Sequence, residues 1–111
     1  EIIVSLGGDN ISPSKIENLL CLNEKIKQSF VYGDKKTYLV ALIVSESTEN
    51  RKEIEIFLEN INKTLSLVEK VKKFKLIEEE FTIDNGMLTP TLKLKRKKIL
   101  NKYKDDLEKL Y

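Results

Sequence analysis

Residues 26–45 read Ile26-Lys-Gln-Ser-Phe-Val-Tyr-Gly-Asp-Lys-Lys-Thr-Tyr-Leu-Val-Ala-Leu-Ile-Val-Ser45. Two runs, 26–32 and 37–45, have the pattern of strands, and they flank the segment 33–36 (Gly-Asp-Lys-Lys), which has the composition of a hairpin loop. The second run is almost entirely apolar, as expected of a strand that is covered on both faces. The pattern therefore predicts a β-hairpin whose second strand lies at the centre of a sheet.

Helix and strand signals alternate on either side of this hairpin. Ser12 and Pro13 are suited to the N-cap and the first position of a helix, and apolar residues at spacings of three and four mark two later helices. Helices are expected at 13–22, 48–63 and 94–110, and additional strands at 2–5 and 72–78. Residues 1–111 are therefore predicted to form one α+β domain with a central sheet of about three strands, including the hairpin, flanked by helices.

The composition excludes several kinds of site. The chain has 111 residues, no histidine and one cysteine, which rules out an internal disulfide and a zinc site of the usual Cys/His type; no metal site is expected. We expect Cys21, on the apolar side of the first helix, to be a small buried hydrophobe and not a reactive thiol. No apolar run approaches the roughly 18 residues that span a membrane, and Glu1-Ile-Ile-Val4 does not resemble a signal peptide.

A candidate functional segment is Gly86-Met-Leu-Thr-Pro-Thr-Leu-Lys-Leu-Lys-Arg96. Lys93 and Lys95 are separated by one leucine, so their side chains point the same way in an extended segment, while Leu92 and Leu94 are expected to anchor the other side. The proline restricts the backbone before Lys93. This pattern suits a lysine that is held in place as an electrostatic catalyst, but an ordinary solvated lysine at the start of a basic helix explains it equally well.

The Gly7-Gly8 pair has a plain and a functional interpretation. Gly7 and Gly8 either make a simple strand-to-helix turn or let a ligand or a second domain approach the backbone closely.

The net charge is only +2, so no overall basic field indicates nucleic acid. Residues 85–104 nevertheless contain no acidic residue and many lysines, so one end of the domain should be locally positive.

Three segments together resemble the small C-terminal domain of acyl-CoA synthetases, which belong to the adenylate-forming superfamily. They are 1–17 at the start, 30–44 in the hairpin and 81–99 near the end. The last segment is most similar to the long-chain-fatty-acid branch. Most of the superfamily has a Ser-Gly pair immediately before a lysine; here the pair is Thr91-Leu92, so the loop should be stiffer.

The resemblance implies that this chain is the mobile lid of a larger enzyme, a long-chain-fatty-acid–CoA ligase. Such enzymes convert a fatty acid, ATP and CoA to an acyl-CoA through an acyl-adenylate, with Mg²⁺ accompanying ATP. A large N-terminal domain of the same chain, expected upstream of Glu1, would bind these substrates, and the lid would rotate between two poses. In one pose Lys93 reaches the adenylate site, and in the other the loop with Gly7 and Gly8 faces CoA. The isolated chain is then expected to be inactive.

The same resemblance leaves some roles and alternatives open. Lys95 and Arg96 would add to the positive field or meet CoA phosphates. A location in the cytoplasm, with possible peripheral attachment to the inner membrane face, is expected, and no nucleic-acid partner. The rival hypothesis is a binding module whose basic last helix docks on nucleic acid or an anionic membrane. A third is a stand-alone lid that assembles with a separate large subunit.

Overall fold

The computed structural model describes all 111 residues, and its regular elements are three helices and five strands. Their bounds are β1 Ile3–Val4, β2 Asn10–Ile11, α1 Pro13–Leu20, β3 Gln28–Tyr32, β4 Leu39–Val44, α2 Arg51–Asn62, β5 Val71–Ile77 and α3 Arg96–Glu108. Short 3-10 helices at Thr48–Asn50 and Leu67–Glu69 flank α2. The predicted α+β class is confirmed, with a three-stranded sheet and a separate two-stranded one.

The main sheet has the order β3-β4-β5. Strands β3 and β4 form the predicted antiparallel hairpin, with Phe30 opposite Leu42. All six residues of β4 are buried, which confirms the central position inferred from its unbroken apolar run. Strand β5 pairs in parallel with β4, so the connection that contains α2 crosses over the sheet, as parallel pairing requires.

Side-chain alternation along β4 divides the interior into two cores. Leu39, Ala41 and Ile43 point to the face covered by α1 and α2. Val40 and Leu42 point to the opposite face, where α3 and residues 81–88 cover them. The N-terminal pair β1–β2 packs on the first face and the loop that leads to Lys93 packs on the second.

Four local expectations are corrected by the structure. Helix α1 ends at Leu20, and Cys21, predicted to be buried, is exposed at the helix C-cap. Helix α3 begins at Arg96 and not at residue 94, because the preceding residues form a hairpin. Leu92, predicted to anchor the loop, is 67% exposed, because the backbone turns there with a positive φ.

No helix combines the length and the apolar character needed to cross a bilayer.

Candidate functional site: two hairpin loops on opposite faces of the sheet

Lys93 follows the tip of a tight β-hairpin. The Leu88–Leu94 bridge and the bond from Lys95 N–H to the Met87 carbonyl (2.8 Å) form its stem. At the top of the stem, Thr89 N–H donates to the Lys93 carbonyl at 2.8 Å. Residues 90–92 form the tip. Lys93 is therefore presented by a hydrogen-bonded hairpin.

Thr89 organises the tip through both its backbone and its hydroxyl. Leu92 N–H donates to the Thr89 carbonyl at 2.8 Å, and Lys93 N–H donates to Thr89 Oγ1 at 3.0 Å. The hydroxyls of Thr89 and Thr91 also lie 3.0 Å apart. Leu92 adopts φ 65°, the left-handed conformation that closes many three-residue hairpin loops and is usually taken by glycine.

The segment before the hairpin is held by two amide side chains. Asn85 Oδ1 accepts from the N–H groups of Thr82 (3.0 Å) and Met87 (3.1 Å), and Asn85 Nδ2 donates to the Glu80 carbonyl at 2.8 Å. In strand β3, Gln28 exchanges two bonds with the backbone of Phe81, at 2.7 and 2.8 Å. These contacts fix the residues that lead into the hairpin, since they satisfy backbone groups that no strand or helix pairs.

The amine of Lys93 is free within this chain. The side chains of Lys93 and Lys95 are exposed and make no hydrogen bond or ion pair, while Leu94 between them packs against the core. The alternation predicted for residues 92–95 is thus confirmed for 93–95 and wrong at Leu92, which is exposed. Lys93 borders an open groove of about 740 Å³ that also contains Glu1 and Lys27. A ligand or a second domain can reach the ammonium group from that groove.

Arg96 is engaged differently from the two lysines. Its guanidinium donates to both carboxylate oxygens of Glu17, at 2.8 and 2.7 Å. This bond raises the pKa of Arg96, with desolvation acting in the opposite direction. Glu17 also accepts from Val31 N–H at 2.8 Å. The positive charge of Arg96 is therefore largely offset within the domain, whereas that of Lys95 is not.

The loop with Gly7 and Gly8 is built on the same plan as the Lys93 hairpin. Ser5 N–H donates to the Asp9 carbonyl, Gly8 N–H donates to the Ser5 carbonyl, both at 2.9 Å, and Asp9 N–H donates to Ser5 Oγ at 3.0 Å. Gly8 takes the left-handed position with φ 92°. Gly7 has an ordinary φ, and an added Cβ would meet only side-chain atoms at 3.8 Å or more.

A second groove, of about 330 Å³, lies beside this loop and is also bordered by Lys36 and Tyr38. The last residue, Tyr111, supports that wall: its ring stacks on Tyr38 with centroids 4.8 Å apart, and its hydroxyl donates to the Tyr38 carbonyl at 2.8 Å. Burial raises the pKa of Tyr111, so its hydroxyl stays protonated and can donate. Lys36 pairs with Glu108 at 2.8 Å.

The two loops are rooted on opposite faces of the main sheet. Leu88, at the base of the Lys93 hairpin, belongs to the core beneath α3. Ile3 and Ile11, which flank the Gly7–Gly8 loop, belong to the core beneath α1 and α2. The structure therefore does not bring the predicted site residues into one cleft; it places them on two separate surfaces.

Cys21 is exposed but not activated. Partial burial of its sulfur raises the thiol pKa, with an opposing bond to Ser29 Oγ at 3.6 Å and a further increase from the charge of Glu17. The thiolate is the nucleophilic form of cysteine. The expectation that Cys21 is not a reactive thiol thus agrees with the direction of this shift, although its predicted burial was wrong.

Sequence reasoning missed Glu17, the charged residue among the buried ones. A signal was present, because Pro13, Ile16, Glu17 and Leu20 follow the spacing of a buried helical stripe. An acid in such a stripe needs a partner with a positive charge. The distance of 79 residues to Arg96 prevented its assignment from sequence.

The whole chain matches a known family model. The model is described as "AMP-binding enzyme C-terminal domain", and it matches residues 1–111. Among curated proteins, a long-chain-fatty-acid–CoA ligase of Mycobacterium tuberculosis is 33% identical over 135 aligned positions, covering 100% of this chain and 22% of the relative. Long-chain-fatty-acid–CoA ligase 1 of Homo sapiens is 31% identical, covering 94% of this chain and 18% of the relative.

Solved structures of adenylation domains contain a domain with the same fold as this chain. The adenylation domain of a carboxylate reductase from Mycobacterium chelonae superposes with a TM-score of 0.86 at 27% identity, over 99% of this chain and 19% of that one. The adenylation domain of a carboxylic acid reductase from Segniliparus rugosus, in complex with AMP and a co-purified carboxylic acid, also gives 0.86, at 26% identity and the same coverage. The chain spans about a fifth of the length of these relatives.

Proposed function

This chain belongs to the family of AMP-binding enzyme C-terminal domains, and from that premise we propose that it is the lid of an acyl-CoA synthetase acting on a long-chain fatty acid. In this proposal Lys93 supplies a positive charge to the adenylation step. The long-chain-fatty-acid ligases among the relatives support the substrate class. The activity belongs to the complete enzyme, and the 111-residue chain alone is inactive because it lacks a walled substrate pocket.

The observation that carries this proposal is the free ammonium group of Lys93 on an ordered hairpin. In adenylation, a carboxylate oxygen bonds to the α-phosphorus of ATP while the bond from that phosphorus to pyrophosphate breaks. Both reactants are anions, so they repel each other. A lysine between them offsets this repulsion and stabilises the transition state, and losing one such donor typically costs about 3–4 kcal/mol.

The substrates would be bound mainly by a large N-terminal domain of the same chain. Fatty acid, ATP and CoA are its proposed ligands, with Mg²⁺ as the partner of ATP. In this chain no three acidic or cysteine side chains are grouped closely enough to hold a metal ion by themselves. We propose that the ion is held outside this chain. A cytoplasmic location, with peripheral membrane attachment, stays a prediction.

A second pose would use the opposite face of the lid. The Gly7–Gly8 loop carries no side chain at its two glycines, so its backbone can lie against a thin ligand or against the large domain. The separation of the two loops on opposite faces supports an alternation of poses: a rotation that withdraws Lys93 can bring the Gly7–Gly8 loop forward. The amine of Lys95 is available to CoA phosphates, whereas Arg96 is bound to Glu17.

The test is Lys93→Ala in the full-length enzyme, with Lys98→Ala as the matched control. Lys98 is another exposed lysine of the same basic segment, without an ion pair. Adenylation is measured as pyrophosphate release, and thioester formation is measured from supplied acyl-adenylate. We expect Lys93→Ala to slow adenylation by about a hundredfold or more and to leave thioester formation nearly unchanged. Equal losses in both half-reactions, or an equal effect of Lys98→Ala, would contradict the proposal.

A further inference from the structure

Glu17 accepts three short hydrogen bonds in a buried position. Its side chain is 8% exposed, and its two oxygens accept from Arg96 twice and from Val31 N–H once, all within 2.8 Å. A bidentate arginine–carboxylate pair fixes orientation as well as distance, because the guanidinium is planar and its two hydrogen bonds are parallel. Glu17 therefore holds Arg96 in one orientation.

This pair joins parts of the domain that belong to different cores. Glu17 lies in α1, which covers one face of the sheet, and Arg96 is the first residue of α3, which covers the other. Val31 belongs to β3, the strand between them. The pair thus reaches around an edge of the sheet and fixes the start of α3 relative to β3.

Arg96 is only three residues beyond Lys93, so the same contact fixes the outgoing end of the Lys93 hairpin. The incoming segment is fixed by Gln28, also in β3, through its two bonds to Phe81. Strand β3 therefore holds the polypeptide on both sides of the hairpin. The stem bond between Lys95 and Met87 carries this constraint toward the tip.

We infer that Glu17, acting through Arg96, is a positioning residue that sets the direction in which the hairpin presents Lys93. This inference rests on the proposed function of Lys93. Glu17 does not touch the reacting groups; its carboxylate is occupied by this domain's own donors. When Glu17 is lost, Lys93 keeps its charge but no longer has a fixed approach, and a misplacement of about 1 Å can slow a reaction by about a hundredfold.

The test is Glu17→Gln in the full-length enzyme. Glutamine keeps the shape of the side chain and one carbonyl acceptor, but it removes the negative charge and the bidentate pair with Arg96. We expect adenylation to fall about ten- to a hundredfold, thioester formation from supplied acyl-adenylate to stay within about twofold, and hydrogen exchange of the 88–96 amides to speed up. Unchanged adenylation, or equal losses in both half-reactions, would overturn the inference.

Two variants accompany this test. Asp106→Asn removes another ion pair of α3, with Lys75 at 3.6 Å, far along the helix from Lys93, and is expected to leave both half-reactions unchanged. Arg96→Lys keeps the positive charge but cannot form the bidentate pair with Glu17, and it should show the same selective loss of adenylation. If Glu17→Gln does not fold, Arg96→Lys decides the question alone.

Lys93→Ala in the same assays separates the two proposals. If Lys93→Ala leaves adenylation intact, the proposed function itself is wrong, and the role of Glu17 falls with it. If Lys93→Ala removes adenylation but Glu17→Gln does not, only the positioning role of Glu17 is wrong.

Discussion

Leu92 and Gly8 occupy the same position in two hairpin tips of the same design. Each is the last of three tip residues, each donates its N–H to the carbonyl three residues earlier, and each has a positive φ, 65° for Leu92 and 92° for Gly8. Glycine adopts this conformation without steric strain, whereas an L-residue with a Cβ does not. One loop therefore has a relaxed tip, and the loop that presents Lys93 has a strained one.

Leu92→Gly should stabilise the 111-residue chain. Left-handed backbone costs a residue with a Cβ roughly 1–2 kcal/mol, and the greater freedom of glycine in the unfolded chain returns about 0.4–1 kcal/mol of that. Because Leu92 is 67% exposed, few contacts are lost. The expected gain is about 0.5–1 kcal/mol in the free energy of unfolding by urea. Leu92→Ala is the control: it keeps the Cβ and should stay within about 0.5 kcal/mol of wild type. A glycine variant no more stable than the alanine variant would contradict the strain.

Gly8→Ala is the mirror experiment. An added Cβ would meet no atom within 4 Å, so any effect comes from the backbone conformation and not from a clash. We expect a loss of about 0.5–1 kcal/mol in the free energy of unfolding, since the left-handed conformation costs alanine roughly 1–2 kcal/mol and the lower freedom of alanine in the unfolded chain returns about 0.4–1 kcal/mol of that. Gly7→Ala is the matched control, since Gly7 has no positive φ, and its effect should be smaller. Equal effects of the two substitutions would contradict a requirement for left-handed backbone at Gly8.

Tyr111→Phe tests the support that the chain's last residue gives to the Gly7–Gly8 side of the domain. The substitution removes the 2.8 Å bond to the Tyr38 carbonyl but keeps the stacked ring. Unfolding in urea should show a loss of about 1 kcal/mol. Tyr111→Ala, which also removes the stacking, should cost more. Wild-type stability of Tyr111→Phe would show that the hydroxyl bond contributes nothing.

Glu108 makes the stability of the domain depend on acidity. Its bond to Lys36 lowers the carboxyl pKa, with desolvation opposing. The ionised form therefore favours the folded state, and this contribution is present above the unfolded-state pKa of about 4.3. It is lost as the pH falls through the lowered folded-state value. Thermal melts between pH 7 and about pH 3 should show a smaller decrease for Glu108→Gln than for wild type.

Glu59→Gln is the control for this pH dependence, because Glu59 is an exposed glutamate without an ion pair. Its melting temperature should follow the wild-type curve. Parallel curves for wild type and Glu108→Gln would show that the pair with Lys36 adds nothing to acid sensitivity.

The sequence was most informative where a pattern is local. The apolar run of β4 predicted its central place, and Ser12 and Pro13 predicted the start of α1, where the Ser12 hydroxyl accepts from Lys15 N–H. The parallel pairing of β5 could not be predicted, because it depends on a crossover and on the register of Phe74 against Ala41. The small pair β1–β2 has only two residues in each strand, too few for a visible alternation.

For the candidate site, the sequence indicates one residue, whose role stays a prediction, and does not indicate the arrangement around it. Lys93 was identified from its segment and from the resemblance. Its backbone, however, follows from Leu92 taking a conformation that leucine rarely adopts, and propensity predicts against that. The pairing of Arg96 with Glu17 joins residues far apart in sequence, so the phosphate-contacting role considered for Arg96 could not be weighed against it before the structure.

Restoring only the ammonium group at position 93 tests the central claim most directly. In a full-length enzyme with Cys21→Ser, Lys93→Cys should slow pyrophosphate release by about a hundredfold or more. Alkylation of that thiol with 2-bromoethylamine, which recreates a lysine-like side chain with a terminal amine, should recover at least about a tenth of the lost rate, while the Cys21→Ser enzyme treated in the same way should not change. Adenylation that stays low after complete alkylation, or that was never slowed by Lys93→Cys, would contradict the claim that this amine acts in the reaction.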